Sequence, residues 1–142
     1  MQVIISCTKL KKDYPCTVEE MYSPSWMFVN FVKYAREVLH ADDIYILSAK
    51  YGVLRLDDNI EPYNLYINDV DKSSWREMVW SQLDESGFDF DEPTVLLCGG
   101  HYVKWLTDYL IEYQWPVKNL QFGKIKHFLI EELSKIKDTK EE

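Results

Sequence analysis

Three short apolar runs, each followed at once by a polar or glycine-bearing loop, constrain this chain more than any other feature. Val3-Ile4-Ile5, Ile44-Tyr45-Ile46-Leu47 and Thr94-Val95-Leu96-Leu97 are rich in β-branched residues and end in loop chemistry. Runs of that kind read as buried strands. Helical spacing fills the gaps between them. Phe28, Phe31, Val32, Ala35, Val38 and Leu39 share one face. That spacing predicts a helix over residues 24–39, with Ser23 as N-cap and Pro24 at the first position. Ser74 with Glu77 three positions on fits a capping box, and Trp75, Met78, Val79 and Leu83 form the stripe behind it. Tyr102, Trp105, Leu106, Tyr109, Leu110 and Tyr113 predict a third helix. Residues 117–122 read as a further strand, and Ile125, Phe128, Leu129 and Leu133 mark a last helix. Strands alternating with helices imply α/β architecture with helices on both faces of the sheet. The expected fold is a small three-layer sandwich with a mainly parallel sheet of about four strands and right-handed connections.

A chain of 142 residues fits one domain. Residues 1–136 are expected to form it, with residues 137–142 as a charged flexible tail. Hydrophobic residues at 46% are too many for a disordered chain. No apolar run approaches the ~20 residues that span a bilayer. The apolar residues 1–6 lack a basic leader, so a cytoplasmic protein with no membrane association is expected. Cys7, Cys16 and Cys98 are odd in number and form no CxxC pair. Neither a disulfide framework nor a zinc site is expected, and no metal or cofactor is assigned. The net charge of −8 disfavours nucleic acid, which is bound through phosphate contacts from many basic residues. A small anionic, nucleotide-like ligand held by a few focused lysines suits it better. The aromatic content is compatible with a homodimer without requiring one.

The segments that carry chemistry follow the three strands. Ser6-Cys7-Thr8-Lys9 follows the first, Ser48-Ala49-Lys50-Tyr51-Gly52 the second and Cys98-Gly99-Gly100-His101-Tyr102 the third. In an open parallel sheet all three reach the carboxyl edge, where ligands bind. Gly99-Gly100 lets backbone approach a ligand closely. Lys9 and Lys50 supply point charge, and Ser6, Thr8 and Ser48 supply hydroxyls. Lys11 and Lys12 read as solvated loop charge. Cys7 has no obvious histidine partner and reads as a packed wall of the pocket rather than a nucleophile. Asp58 and Glu61 are the candidate catalytic carboxylates, provided the acidic loop folds back over the crevice. Tyr63 and Tyr102 are candidates to stack on a base.

Taken together, ISCTKLK, YSPSWMF, ILSAKYGVL and IEPYNL resemble a family of small uncharacterised bacterial and phage domains that is similar to the YaaA peroxide-stress proteins. The family pattern falls on Ser6, Cys7, Thr8, Lys9, Tyr22, Ser23, Ser48, Lys50, Tyr51, Gly52, Asp58, Pro62, Tyr63, Gly100 and Tyr102. The segment from Gly123 to His127 resembles its last motif. The likeness covers most of the chain and implies an α/β fold related to those that handle nucleotides and nucleobases. Through YaaA it also implies a link to DNA and oxidative stress, which the acidity of this chain opposes.

Three readings of function follow. The first is an enzyme on a nucleotide- or nucleoside-derived ligand that cleaves or exchanges an N-glycosidic bond, as a glycosidase or glycosyltransferase. The second is a non-catalytic, phage-type protein that sequesters such a ligand. The third is a YaaA-like DNA-associated stress protein.

Overall fold

The computed structural model describes residues 1–141, with side chains described through residue 136. The tail expected over residues 137–142 lies outside the residues whose side chains are described. In chain order the elements are β1 (Gln2–Ser6), β2 (Cys16–Thr17), α1 (Val18–Met21), α2 (Trp26–Glu37), β3 (Asp43–Ser48), β4 (Gly52–Leu54), β5 (Asn59–Ile60), α3 (Lys72–Glu85), β6 (Thr94–Leu97), α4 (Gly100–Val103), β7 (Tyr113–Gln114) and α5 (Phe122–Glu141). Short 3-10 turns occupy Ile67–Asp69 and Thr107–Tyr109.

The three strands read from the sequence are the centre of a five-stranded sheet ordered β4-β3-β1-β6-β7. β1 pairs in parallel with both β3 and β6, and β6 in parallel with β7, while β4 runs antiparallel to β3. Successive side chains of a strand point to opposite faces. Val3, Ile5, Ile44, Ile46, Val95 and Leu97 therefore join one core with Met21, Phe28, Phe31, Val32 and Leu129, under α1, α2 and α5. Ile4, Tyr45, Leu47 and Leu96 join the other with Trp75, Val79, Leu83 and Val103, under α3 and α4. Both faces of the sheet are covered, which is why the strands read as continuous apolar runs rather than alternating ones.

The boundaries differ from the sequence reading where local chemistry outweighs periodicity. α2 starts at Trp26, not Pro24, because Ser25 Oγ accepts from Phe28 N at 3.2 Å and makes Ser25 the N-cap. α3 starts at Lys72 because Asp71 caps it, accepting from Ser73 N at 3.1 Å; Ser74 Oγ instead donates to Asp71. The helix expected from Tyr102 to Tyr113 is only the single turn α4 and a 3-10 turn. Trp105 N and Leu106 N bond three residues back, to Tyr102 O and Val103 O, so the chain tightens while Val103, Leu106 and Leu110 remain buried. The outer parallel strand is β7, not residues 117–122, where Asn119 adopts φ 61° and Lys118 N bonds back to Trp115 O. β4 and a second, two-stranded sheet of β2 with β5 add pairings too short to show periodicity.

β4 is also where one glycine is indispensable. Gly52 has φ +76°, and a Cβ there would collide with Gln82 Oε1 and come within 2.9 Å of Met78 Cε. Gln82 is itself committed: its Oε1 accepts from Val53 N at 2.7 Å and its Nε2 donates to Tyr51 O at 3.1 Å. Gly87 also has φ +81°, but open space surrounds its missing Cβ. Gly87→Ala is thus expected to cost about 1–2 kcal/mol from backbone strain alone. Gly52→Ala is expected to cost more, about 3 kcal/mol, because it also breaks the Gln82 clip. Urea denaturation of the two variants checks this, and equal losses would contradict it.

Candidate functional site

The topology determines where a crevice opens. β1 leads to β3 through α2 on one face, whereas β6 leads to β7 through α4 on the other. Adjacent strands whose connections leave in opposite directions create a switch point at their carboxyl ends. Here those ends are Ser6-Cys7 and Cys98-Gly99. They are tied together, since Gly99 N donates to Ser6 Oγ at 3.1 Å. Cys7 N extends the β1–β3 pairing to Leu47 O at 2.9 Å.

Around Cys7 the chain assembles hydroxyls from four other segments. Tyr102, on α4, brings its hydroxyl to 3.2 Å from Cys7 Sγ. Tyr63, just after β5, donates to the same sulfur at 3.6 Å. Tyr22, just after α1, lies 2.5 Å from the Tyr63 hydroxyl, and Ser48, at the end of β3, donates to Tyr63 at 2.8 Å. The proton directions follow from counting. A hydroxyl has one hydrogen and two lone pairs. Ser48 Oγ accepts from both Lys50 N and Tyr51 N, at 3.2 and 3.1 Å, so its hydrogen goes to Tyr63. Tyr63 accepts from Ser48 and Tyr22 and spends its own hydrogen on Cys7 Sγ. The sulfur, with two lone pairs, can accept from Tyr102 as well, and either group can donate in that contact.

Burial keeps these phenols neutral. Tyr22, Tyr63 and Tyr102 are all held well above the ordinary tyrosine range, first by desolvation and then by the nearby Cys7. The other cysteines are quieter. Cys98 donates to Ile4 O at 3.3 Å and burial pushes its thiol up to about 12. Burial also raises Cys16, in β2.

Lys11, which the sequence assigns to solvent, lies beside this cluster. Its Nζ donates to Lys9 O at 3.2 Å and sits 4.7 Å from the centre of the Tyr63 ring. Burial lowers its pKa below the usual lysine value. Lys9 and Lys50 are exposed, and Lys50 lies 5.2 Å over the Tyr51 ring. Tyr63 packs edge-on against Tyr51 at 5.6 Å and Tyr102 against Trp75 at 5.7 Å.

Several expected residues lie elsewhere. Asp58 is exposed and closes a turn between β4 and β5, its Oδ2 accepting from Arg55 N at 2.8 Å. Glu61 is exposed, and its backbone N donates to the Tyr51 hydroxyl at 3.2 Å. Among the described residues, neither carboxylate hydrogen-bonds to the Cys7 cluster. Ser23 is exposed and donates to Glu20 O. Gly100 opens α4 beneath the Trp115 ring. Thr8 Oγ1 is buried without a hydrogen-bond partner. Sequence reasoning missed Lys11, Trp75 and Trp115. The two indoles brace the crevice from behind, donating to Ser48 O and Cys98 O, each at 3.0 Å. An open groove also lies against α2, lined by Glu19, Val29, Lys33 and Arg36, but Arg36 and Glu19 satisfy one another there at 2.6 Å.

A family model described as a family of unknown function, DUF6884, matches residues 3–131. No curated protein and no solved structure matches the chain.

The phenols give a pH prediction. A tyrosine whose pKa is raised on folding contributes stability that is fully present below its unfolded value of about 10 and is lost as pH rises above it. Phenolate absorbance from Tyr22, Tyr63 and Tyr102 is therefore expected only in a late alkaline step that coincides with loss of far-UV circular dichroism. Ionisation of every tyrosine near pH 10 with the fold intact would contradict it. Ser48→Ala strands two N–H donors and is expected to destabilise by about 1–3 kcal/mol in urea titration.

Proposed function

This chain belongs to the DUF6884 family, a family of unknown function, and we propose that it binds a nucleotide- or nucleoside-derived anionic ligand at the carboxyl edge of its sheet. The observation that carries this reading is the joining of all three strand ends in one hydrogen-bonded cluster. Ser6 bonds to Gly99, and Cys7 is linked through Tyr63 to Ser48 and directly to Tyr102. A crevice edged by neutral hydroxyls suits the hydroxyl groups of a sugar. Lys11, with Lys9 and Lys50 at the rim, suits an attached anionic group. The unpartnered Thr8 hydroxyl supports the reading, since a buried donor ordinarily has an acceptor.

Cleavage or exchange of an N-glycosidic bond is the catalytic extension of this proposal. Asp58 and Glu61 do not support it from their positions, because Asp58 is engaged in its turn and both are exposed. The second reading, in which the ligand is sequestered intact, needs neither carboxylate. A DNA-associated role in the manner of the YaaA proteins remains a resemblance, opposed by the net charge of −8.

Thermal shift against a panel of nucleosides, nucleotides and NAD tests the binding. Ligand at ~100 times Kd adds about 2.7 kcal/mol, so a clear rise in Tm is expected for at least one compound. Lys11→Ala is expected to weaken a phosphorylated ligand roughly tenfold while leaving its neutral nucleoside unaffected. No rise with any compound, or equal losses for the charged and neutral forms, would overturn the assignment. Chromatography of the released ligand separates sequestration, which returns it intact, from cleavage.

A further inference from the structure

The proposed ligand site contains a thiol held by two phenol hydroxyls, Tyr63 and Tyr102. The geometry points to Cys7 as the reacting group of the crevice, attacking an electrophilic carbon of the bound ligand. This rests on the binding reading above and supplies the chemistry that Asp58 and Glu61 do not.

The argument starts from where the hydrogens go. The Tyr63 hydroxyl cannot donate to Ser48, whose hydrogen already points at it, nor to Tyr22 if Tyr22 is to keep a partner; its hydrogen goes to Cys7 Sγ. A chain of donors thus runs from the backbone amides of Lys50 and Tyr51 through Ser48 and Tyr63 to the sulfur. Tyr102 shares a hydrogen bond with the sulfur at 3.2 Å in which either group can donate, so its hydroxyl can serve as a second donor once the thiol proton leaves. Charge developing on the sulfur thereby meets two O–H dipoles that burial keeps protonated, with the Lys11 ammonium seated over Tyr63. A cysteine used only for packing needs none of this. Cys98, one strand away, is satisfied by a single backbone carbonyl and is buried. Cys7 differs also in being only half-buried. The orphaned Thr8 hydroxyl, on the adjacent residue, is a separate sign that a partner belongs here.

On a ligand with an N-glycosidic bond the step balances without any further reactant. The sulfur–carbon bond forms as the carbon–nitrogen bond breaks. The bonding pair leaves on the nitrogen, which takes up the proton that the thiol gives up. Attack of water on the same carbon then displaces the sulfur, and a proton from that water restores the thiol.

Iodoacetamide, a small neutral electrophile, tests the nucleophile apart from the ligand. Full-length protein is treated at pH 7.5 with limiting reagent, quenched over time and mapped by peptide mass spectrometry. Cys7 is expected to be alkylated at least ~10-fold faster than Cys16, the other half-buried cysteine. Tyr63→Phe and Tyr102→Phe are each expected to slow Cys7 several-fold and leave Cys16 unchanged, with circular dichroism confirming the fold. Cys7 reacting no faster than Cys16, or reacting equally fast in both variants, would overturn the inference. Fast Cys7 with no nucleotide-induced rise in Tm would instead overturn the binding reading and leave the nucleophile standing.

Discussion

The Ser48 hydroxyl is the junction on which the rest of the site depends. It ends the second parallel strand in a position with no access to solvent. There it accepts two backbone N–H groups from the turn that follows, at 3.1 and 3.2 Å, and hands its own hydrogen to Tyr63. The same residue's carbonyl receives the Trp75 indole N–H from α3. One buried serine thus fixes the reversal into β4, the seating of a helix and the orientation of a phenol. A buried hydroxyl with every position used is rigid, because any rotation strands a donor.

From that junction the polar network runs outward against the apolar grain of the sheet. The cores on the two faces hold β1, β3 and β6 in register, and their carboxyl ends are where the packing stops. Burial there is deep enough to keep three phenols neutral yet leaves Cys7 half-exposed. Lys11 belongs to the same boundary. Its aliphatic stem lets it lie across the tyrosines while its ammonium bonds to a backbone carbonyl, which places positive charge beside the cluster in a chain whose net charge is −8.

Much of this was legible in the residues. The three β-branched runs revealed the centre of the sheet, and the loops after them meet at its carboxyl edge, because a parallel sheet brings the carboxyl ends of its strands together. Ser6, Cys7, Ser48, Tyr63 and Tyr102 do meet there. The failures have physical causes. Strands of two or three residues, such as β4 and β7, carry no period. The Tyr102–Tyr113 stretch buries Val103, Leu106 and Leu110 at helical spacing while its backbone tightens into 3-10 turns. Lys11 read as solvated because nothing local says that two tyrosines from distant segments will lie beneath it. The indole of Trp75 read as core, which it is, but its N–H also braces the end of β3.

The central claim is that the crevice between the ends of β1 and β6 receives the ligand. A crystal structure grown with the compound giving the largest rise in Tm tests it most directly. The account predicts ligand density in contact with Cys7, Tyr102 and the Gly99-Gly100 turn, with its anionic group beside Lys11. Density in the groove of Glu19, Val29 and Lys33 instead, with the Cys7 cluster untouched, would contradict it.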